Sequence, residues 1–386
     1  MIGDLLVRGG TVWTVTDGVK DNCDVLVSKG RIARVSPDID APEGADVLEA
    51  RGRIVTPGLI DCHCHLGLWK EGYPLEEAGG NEKTDSLTPH LRALDGFDPE
   101  DTSFLDARRA GITTVQILPG SANVVGGVGT VLKTWGGYAD EMVRLHPSGM
   151  KAAFGENPKN LHKDRGGMPT TRMAVAAMLR SALVDGLNYG RKLDKDPDFP
   201  RDLRLEGLLS VIRREVPLRI HAHRADDIMS AVRVAEEFDL DYSIEHCTEG
   251  HKVASVLGEK RVMAAFGPFM IFKSKLELKD CAASNVVSLH RAGAHVSLIT
   301  DYPMIPVSCL MVQAAQIVRE GLSKEEVFRF VTMNPAEHIG LADELGSIEE
   351  GKIGDLVMWD GDPFDGTRSP DVTIIDGEVV FRKDGR

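Results

Sequence analysis

Short apolar stretches alternate with longer helical stretches from Ile54 to about Ser347, and this alternation most narrowly limits the fold of the chain. A strand followed by a helix and then by another strand is the repeating unit of a parallel α/β sheet. We predict strands near residues 54–60, 112–118, 128–134, 150–155, 217–221, 241–246, 261–265 and 295–300. Eight such strands predict a TIM-like (β/α)8 barrel over residues 54–349.

The two ends of the chain have a different pattern. Residues 1–53 contain short β-type stretches separated by turn signals such as Gly9-Gly10 and Asp17-Gly18. Strand character returns near Ile353 and continues to Phe381. We therefore predict a small discontinuous β-sandwich domain, with residues 1–53 as its first part and residues 350–386 as its second.

The amino-acid composition of the chain limits the kinds of partner that it can bind. The 386 residues carry a formal net charge of −14, whereas nucleic acids and acidic membranes attract clustered Lys and Arg. Met1 to Gly10 contains no long apolar stretch, and nowhere do about 18 apolar residues run together, so neither a signal peptide nor a membrane span is predicted. The six cysteines form neither a disulfide framework nor a zinc ribbon. We expect a cytoplasmic protein, a homo-oligomer, that acts on a small molecule without binding nucleic acid or membrane.

The stretch from Val55 to His65 ends an apolar strand with two histidines two positions apart. Residues i and i+2 of a strand point to the same face, so His63 and His65 can bind one ion. Cys62 and Cys64 alternate with them and should face away. A pair of hydrogen-bonded, half-buried histidines is the alternative interpretation of this motif alone.

Further metal-competent residues follow other predicted strands at the end where a parallel barrel carries its chemistry. They are Glu156, His221, His246 and Asp301. Each has a simpler explanation by itself, such as a helix cap for Asp301 or a surface acid for Glu156. Their shared position at strand ends favours a metal site over these separate explanations.

Several motifs along nearly the whole chain resemble those of the amidohydrolase superfamily, in its imidazolonepropionase-like and prolidase-like group. They are Asp24-Val25-Leu26-Val27 through Gly30-Arg31-Ile32, Pro57-Gly58-Leu59-Ile60-Asp61-Cys62-His63-Cys64-His65, Ile244-Glu245-His246, Thr332-Met333-Asn334-Pro335-Ala336, and Gly346-Ser347-Ile348-Glu349 through Gly354-Asp355-Leu356-Val357. Together they are specific for superfamily and fold, and weakly specific for substrate.

By position, the resemblance implies that His63, His65 and Asp301 bind an inner ion. It implies that His221 and His246 bind a second ion, with His223 as a competitor to His221, and that an acidic group bridges the two. Relatives use either a carboxylated lysine or a glutamate as the bridge. We predict Glu156, because Lys151 lies near the start of its strand, about 3.3 Å per residue from the reactive end.

This ligand set implies hydrolysis of a carbon–nitrogen bond. A bound divalent ion lowers the pKa of water from 15.7 to about 7, and Asp301 is the expected carrier of the proton. Nitrogen and oxygen ligands suit zinc, with manganese or iron as alternatives, as one ion or two. The expected substrate is an amide or cyclic amide of a small molecule, with N-acyl amino acids and dipeptides among the candidates. The enzyme then acts on carbon–nitrogen bonds other than peptide bonds, or is a dipeptidase.

Substrate contacts are predicted from segments near the reactive strand ends. The glycine-rich loop from Pro119 to Gly129, which contains Asn123, either brings backbone N–H groups to a substrate anion or is an ordinary turn. The other candidate substrate-binding residues on or near these segments are Asn157, His162, Arg165, His223, Arg224 and His251. For each, a solvated loop residue is the alternative.

Two other functions remain open at this point. The first is a deaminase of a small heterocycle, although familiar deaminase relatives carry glutamate three positions after the His221 equivalent, where this chain has Arg224. The second is a catalytically silent assembly protein on the same fold. Silent relatives typically lack metal ligands, and none of the expected ligands is missing here.

Overall fold

Our computed structural model describes residues 3–74, 78–163 and 166–383, except for the side chain of His162. Within these ranges the chain combines α-helices with three β-sheets, as the alternation of strand and helix patterns predicts. Strands and helices are numbered below in chain order.

The first sheet joins the two ends of the chain. Its order is β18-β17-β16-β5-β1-β2-β3, with β4 paired to β1. Its strands are β1 (Leu5–Trp13), β2 (Val19–Ser28), β3 (Arg31–Ser36), β4 (Asp46–Glu49), β5 (Ile54–Pro57), β16 (Leu356–Trp359), β17 (Pro370–Ile375) and β18 (Glu378–Arg382). The junction between the two ends is the antiparallel pair of β5 and β16. One apolar cluster, including Val25 and Ile374, packs residues from both ends.

The other two sheets contain the strands of the central region. The four-stranded sheet has the order β10-β9-β7-β6 and the six-stranded sheet the order β15-β14-β13-β12-β11-β8. Their strands are β6 (Leu59–Cys64), β7 (Ile112–Ile117), β8 (Val125–Val128), β9 (Thr130–Lys133), β10 (Val143–Leu145), β11 (Met150–Ala153), β12 (Leu218–Ala222), β13 (Tyr242–His246), β14 (Met263–Phe266) and β15 (His295–Leu298). Strands β11 to β15 are parallel, and β6 is parallel to β7. Apolar side chains such as Ile220 and Ile244 are fully buried between these strands and the helices.

Backbone hydrogen bonds connect these two sheets at the ends of their strands. The Asp301 N–H donates to His63 O at 3.2 Å, and the His65 N–H donates to Tyr302 O at 3.0 Å. The carboxyl ends of β6 and β15 therefore lie side by side, which is the arrangement that a closed barrel requires. Closure into an eight-stranded barrel stays a prediction.

Helices follow most of the strands. They are α1 (Thr102–Arg109), α2 (Ala139–Met142), α3 (Glu156–Lys163), α4 (Arg172–Leu193), α5 (Leu203–Ile212), α6 (Ala225–Glu237), α7 (Ala254–Glu259), α8 (Ser284–Arg291), α9 (Leu310–Arg319), α10 (Lys324–Arg329) and α11 (Met333–His338). Asp101, Thr171 and Asp202 accept backbone N–H groups at the first turns of α1, α4 and α5, which fixes where these helices begin. None of the described helices combines the length and the apolarity needed to cross a bilayer.

Two predicted strands differ in the structure. The strand predicted at 54–60 is divided at Gly58, so that β5 belongs to the terminal sheet and β6 begins the central region. A Cβ at Gly58 would lie 2.1 Å from Thr113 Oγ1, so only glycine allows this close approach. The strand predicted at 128–134 is divided into β8 and β9, and β9 is antiparallel to β7. A parallel strand needs a crossover of about a dozen or more residues, usually helical, and no helix lies between β7 and β9.

Candidate metal centre

Four buried imidazoles meet at the carboxyl ends of β6, β12 and β13. The ring centroid of His246 lies 4.9 Å from that of His63 and 4.4 Å from that of His221. The His223 ring is stacked on the His246 ring at 4.8 Å. His246 has a φ of +68°, and Asp301, which follows β15, has a φ of +50°, so both residues adopt the left-handed conformation as their strands end. The fold therefore brings together histidines that lie far apart along the chain.

His63 is oriented by a buried carboxylate. Its Nδ1 lies 2.6 Å from Glu245 Oε2, and both side chains are fully buried. An imidazole that donates from Nδ1 to a carboxylate keeps a lone pair on Nε2. The Nε2 atom lies 2.9 Å from Lys151 Nζ and 3.7 Å from Asp301 Oδ1, so the lone pair points into the cluster.

His65 shares this arrangement. Its Nδ1 donates to Leu118 O at 2.7 Å, which leaves a lone pair on Nε2. That Nε2 lies 3.2 Å from Asp301 Oδ1, which is also an acceptor. Two acceptors at this separation are stabilised by a proton or a cation between them.

The other three imidazoles, those of His221, His223 and His246, form fewer hydrogen bonds to the protein through the ring nitrogens that face one another. His223 Nδ1 contacts Thr248 Oγ1 at 2.8 Å, and His246 Nδ1 donates to Gly267 O at 2.9 Å. Among the residues that the structure describes, the buried Nδ1 of His221 has no hydrogen-bond partner, and its Nε2 lies 3.4 Å from Asn157 Nδ2. Potential ligand atoms lie within 4.8 Å of one another in two groups: His221, His223 and His246, and His63, His246 and Asp301.

Burial determines the charge of these residues. It lowers the pKa of His63 to about 3 and the pKa of His246 to about 4. It also holds the pKa of His221 well below its usual range, so the rings are neutral and keep their lone pairs. Burial raises the pKa of Asp301, but His246 and the other nearby imidazoles more than offset this, and the pKa lies below its ordinary value. The centre therefore combines neutral nitrogen donors with one carboxylate.

Lys151 is part of this cluster, and our argument that it lies too far away is wrong. Its side chain is fully buried, and its Nζ is in contact with His63 Nε2. Burial lowers the pKa of the Lys151 amine to about 8. The rise of the strand alone does not give the distance of the amine from the centre, because the long lysine side chain adds its own reach.

Glu156 lies elsewhere. It is the first residue of α3, is partly exposed, and donates its backbone N–H to Glu277 Oε1 at 2.7 Å. Neither group of potential ligand atoms in the described part of the chain includes it. The structure therefore removes the geometric reason for preferring Glu156 to Lys151 as the bridging residue.

The predicted substrate-binding residues divide between the centre and its surroundings. His223 lies in the centre, and Asn123 is buried with its Nδ2 donating to Thr88 Oγ1 at 2.9 Å. Arg224 forms a bidentate pair with its neighbour Asp226 at the start of α6, and His251 lies in a 3₁₀ turn. Arg165 and the side chain of His162 lie outside the described residues.

The glycine-rich loop is held by other protein groups. The Gly120 N–H donates to Gly80 O at 2.7 Å, and the Ala122 N–H donates to Asn81 Oδ1 at 3.0 Å. These two donors are therefore unavailable to a substrate anion, which favours the interpretation of this segment as an ordinary turn.

Glu245 is a functional residue that was not predicted from the sequence, although it lies in the Ile244-Glu245-His246 motif. Burial raises the pKa of its carboxyl, but His338 and His63 more than offset this and hold the pKa well below its usual range. Ser243 Oγ also donates to it, and Arg219 Nη1 donates to that hydroxyl at 3.2 Å. The available signal was a charged residue inside an apolar strand, which has to be paired when buried.

The donor set fits a divalent metal ion. The lone pairs on Nε2 of His63 and His65 and the Asp301 carboxylate face one another. His221 contributes a further buried nitrogen without a firm hydrogen bond. Imidazole and carboxylate ligands suit zinc and neighbouring divalent metals. Burial raises the pKa values of the Cys62 and Cys64 thiols, and neither thiol belongs to the groups of potential ligand atoms found among the described residues.

Comparisons with known proteins identify the family to which the chain belongs. The profile of the Amidohydrolase family matches residues 204–380. A crystal structure of an amidohydrolase from Thermotoga maritima MSB8 is 41% identical, with a TM-score of 0.95 over 98% of this chain and 100% of that chain.

Two curated relatives are more distant. Amidohydrolase tasK of Hapsidospora irregularis is 29% identical over 97% of this chain, which spans only 41% of that relative's length. The imidazolonepropionase of Sphingopyxis alaskensis is 26% identical, over 92% of this chain and 90% of its own. The resemblance found in the motifs is confirmed, and the chain belongs to the amidohydrolase family.

Proposed function

We propose that this protein is a metal-dependent hydrolase of carbon–nitrogen bonds in small amides. The observation that carries the proposal is the cluster of neutral, buried imidazoles whose lone pairs face the Asp301 carboxylate. Membership of the amidohydrolase family supports the same reaction class. The arrangement of the strand ends also supports a closed (β/α)8 barrel with this centre at its carboxyl end.

The ligands divide into two groups. We assign His63, His65 and Asp301 to an inner ion, and His221 and His246 to a second ion, with His223 beside them. Zinc is the proposed metal, with manganese or iron as alternatives. When bound, such ions supply water of lowered pKa and polarise a carbonyl oxygen.

Lys151 replaces Glu156 as the proposed bridging residue. The amine, with its pKa lowered to about 8, is neutral often enough to attack carbon dioxide. The neutral amine forms a new N–C bond with carbon dioxide and loses one proton, which gives a carbamate anion with two oxygens; the ammonium form has to lose a first proton before it can react. Its place beside His63 Nε2 supports this assignment.

Asp301 is the proposed proton carrier. Its Oδ1 is 3.2 Å from His65 Nε2, whereas Oδ2 is 3.9 Å from His246 Nδ1 and makes no closer ion pair within the described part of the chain. Oδ2 accepts a proton from the attacking water and delivers it to the leaving nitrogen. Because the pKa of this carboxyl lies below its ordinary value, the group is ionised at neutral pH, which is the form that a proton acceptor needs.

A metal count combined with a substrate screen tests the proposal. We expect purified protein to contain divalent metal, and His63→Ala or His65→Ala to lower that content, because both residues bind the inner ion. Elemental analysis measures the metal, while lactams, N-acyl amino acids, dipeptides and amino-heterocycles serve as substrates. A full complement of metal in both variants would contradict the site, and deamination of a heterocycle without amide hydrolysis would replace the proposed reaction.

A further inference from the structure

Lys275 places a cation beside the centre. It lies in the segment between β14 and α8, immediately before a 3₁₀ turn at Leu276–Leu278. Its Nζ donates to Asn157 Oδ1 at 2.7 Å. The Nδ2 of the same amide lies 2.6 Å from Ser121 Oγ and 3.4 Å from His221 Nε2. One side-chain amide therefore separates the ammonium group from a proposed metal-binding nitrogen.

Two nearby cations, Arg172 and Lys252, form ion pairs, whereas Lys275 forms none among the described residues, and Glu277, Asp301 and Glu156 act on its charge only from beyond contact distance. Arg172 contacts both Asp227 and Glu277, while Lys252 contacts other carboxylates. Among the described residues, no carboxylate lies within ion-pair distance of Lys275 Nζ, and the group that it contacts is the neutral amide of Asn157. The side chain is partly buried, so water screens its charge incompletely.

A partly buried cation without a contacting anion favours an anionic ligand, because a charge removed from water is stabilised by a paired charge. Building on the amide hydrolase proposed above, we propose that Lys275 binds the carboxylate of the substrate. The substrate class is then N-acyl amino acids, dipeptides included. In these molecules a single Cα separates the carboxylate from the scissile amide, and one peptide unit spans about 3.8 Å. This short distance between the carboxylate and the scissile amide suits Lys275. Its ammonium group is separated from His221 by the side-chain amide of Asn157.

The test compares amides with and without the carboxylate. The substrates are N-acetyl derivatives of the common amino acids and the matching decarboxylated amides, such as N-acetyl-L-leucine and N-acetyl-3-methylbutylamine. Metal-loaded wild type is compared with Lys275→Met, with the conservative Lys275→Arg, and with Lys273→Met. Lys273 is a matched control, because it is exposed on the same segment and donates to Lys279 O.

We expect Lys275→Met to lower kcat/KM for the preferred N-acetyl amino acid by about 10- to 100-fold, mainly through KM. Its effect on the decarboxylated amide should be small, Lys275→Arg should recover part of the loss, and Lys273→Met should resemble wild type. Equal losses on both members of a pair, or no loss, would overturn the inference.

Calorimetric binding of the same pairs to metal-loaded Asp301→Asn protein separates this inference from the proposed function. If wild type hydrolyses no amide but Lys275 still discriminates the carboxylate in binding, the reaction is wrong and the subsite stands. If binding shows no preference for the carboxylate, or no ligand of the panel binds, the subsite is wrong whatever the turnover.

Discussion

The Nζ of Lys151 lies 2.9 Å from the Nε2 of His63, although the two residues are 88 positions apart in the chain. Both side chains are fully buried. The contact places an amine at the lone pair of a proposed metal ligand. The contact also distinguishes Lys151 from Glu156, the other candidate for the residue that bridges the ions.

The first prediction concerns this bridge. Lys151→Ala should remove or weaken binding of the second ion and abolish most amide hydrolysis, because it deletes the proposed bridging ligand. Glu156→Ala should keep both, since that side chain belongs to neither group of potential ligand atoms in the described ranges. Metal analysis of the two variants measures the difference. Full metal content in Lys151→Ala together with metal loss in Glu156→Ala would restore the original assignment.

How far the sequence predicted this centre depends on what each motif encodes. Strand alternation placed His63 and His65 on one face, and the positions of His221, His246 and Asp301 at strand ends predicted that they meet. Alternation carries no information on strand direction, so the antiparallel β9 was not predicted. Lys151 was excluded because strand rise was counted without the length of the side chain.

Contacts that depend on loop conformation also could not be predicted from the sequence. Glu245 reaches His63 and Lys275 reaches Asn157 across strands and loops whose relative positions no local pattern encodes. A charged residue within an apolar strand, as at Glu245 and Lys151, signals a buried partner but does not identify it.

The second prediction concerns the orientation of His63. Glu245→Gln should lower metal affinity by about 10- to 100-fold, because a neutral amide stabilises the Nδ1-protonated form of His63 less than a carboxylate does. Glu237→Gln is the control, since Glu237 pairs with Arg180 at the surface. Competition with a chelator measures affinity in both variants. Unchanged affinity in Glu245→Gln would show that the carboxylate does not support this ligand.

The third prediction concerns the two ends of the chain, which we propose form one folding unit. Deleting residues 350–386 should make the protein aggregate, because it exposes the edge of β5 that pairs with β16. It also removes Asp355, whose Oδ2 lies 2.6 Å from Lys133 Nζ, and leaves that lysine buried without its partner. Size-exclusion chromatography and circular dichroism test this. A monodisperse, fully folded truncation would contradict the proposed unit.

The most direct measurement is turnover and metal content of Asp301→Asn on the same preparations. Asparagine keeps an oxygen that can bind metal but cannot accept and return a proton near neutral pH. Asp239→Asn is the control, because Asp239 is exposed and pairs with Arg214. We predict that Asp301→Asn keeps much of its metal and its fold while amide hydrolysis falls by about 10² or more. A metal-loaded Asp301→Asn protein with wild-type rates, or a metal-loaded wild type that hydrolyses no amide, would contradict the proposed hydrolase.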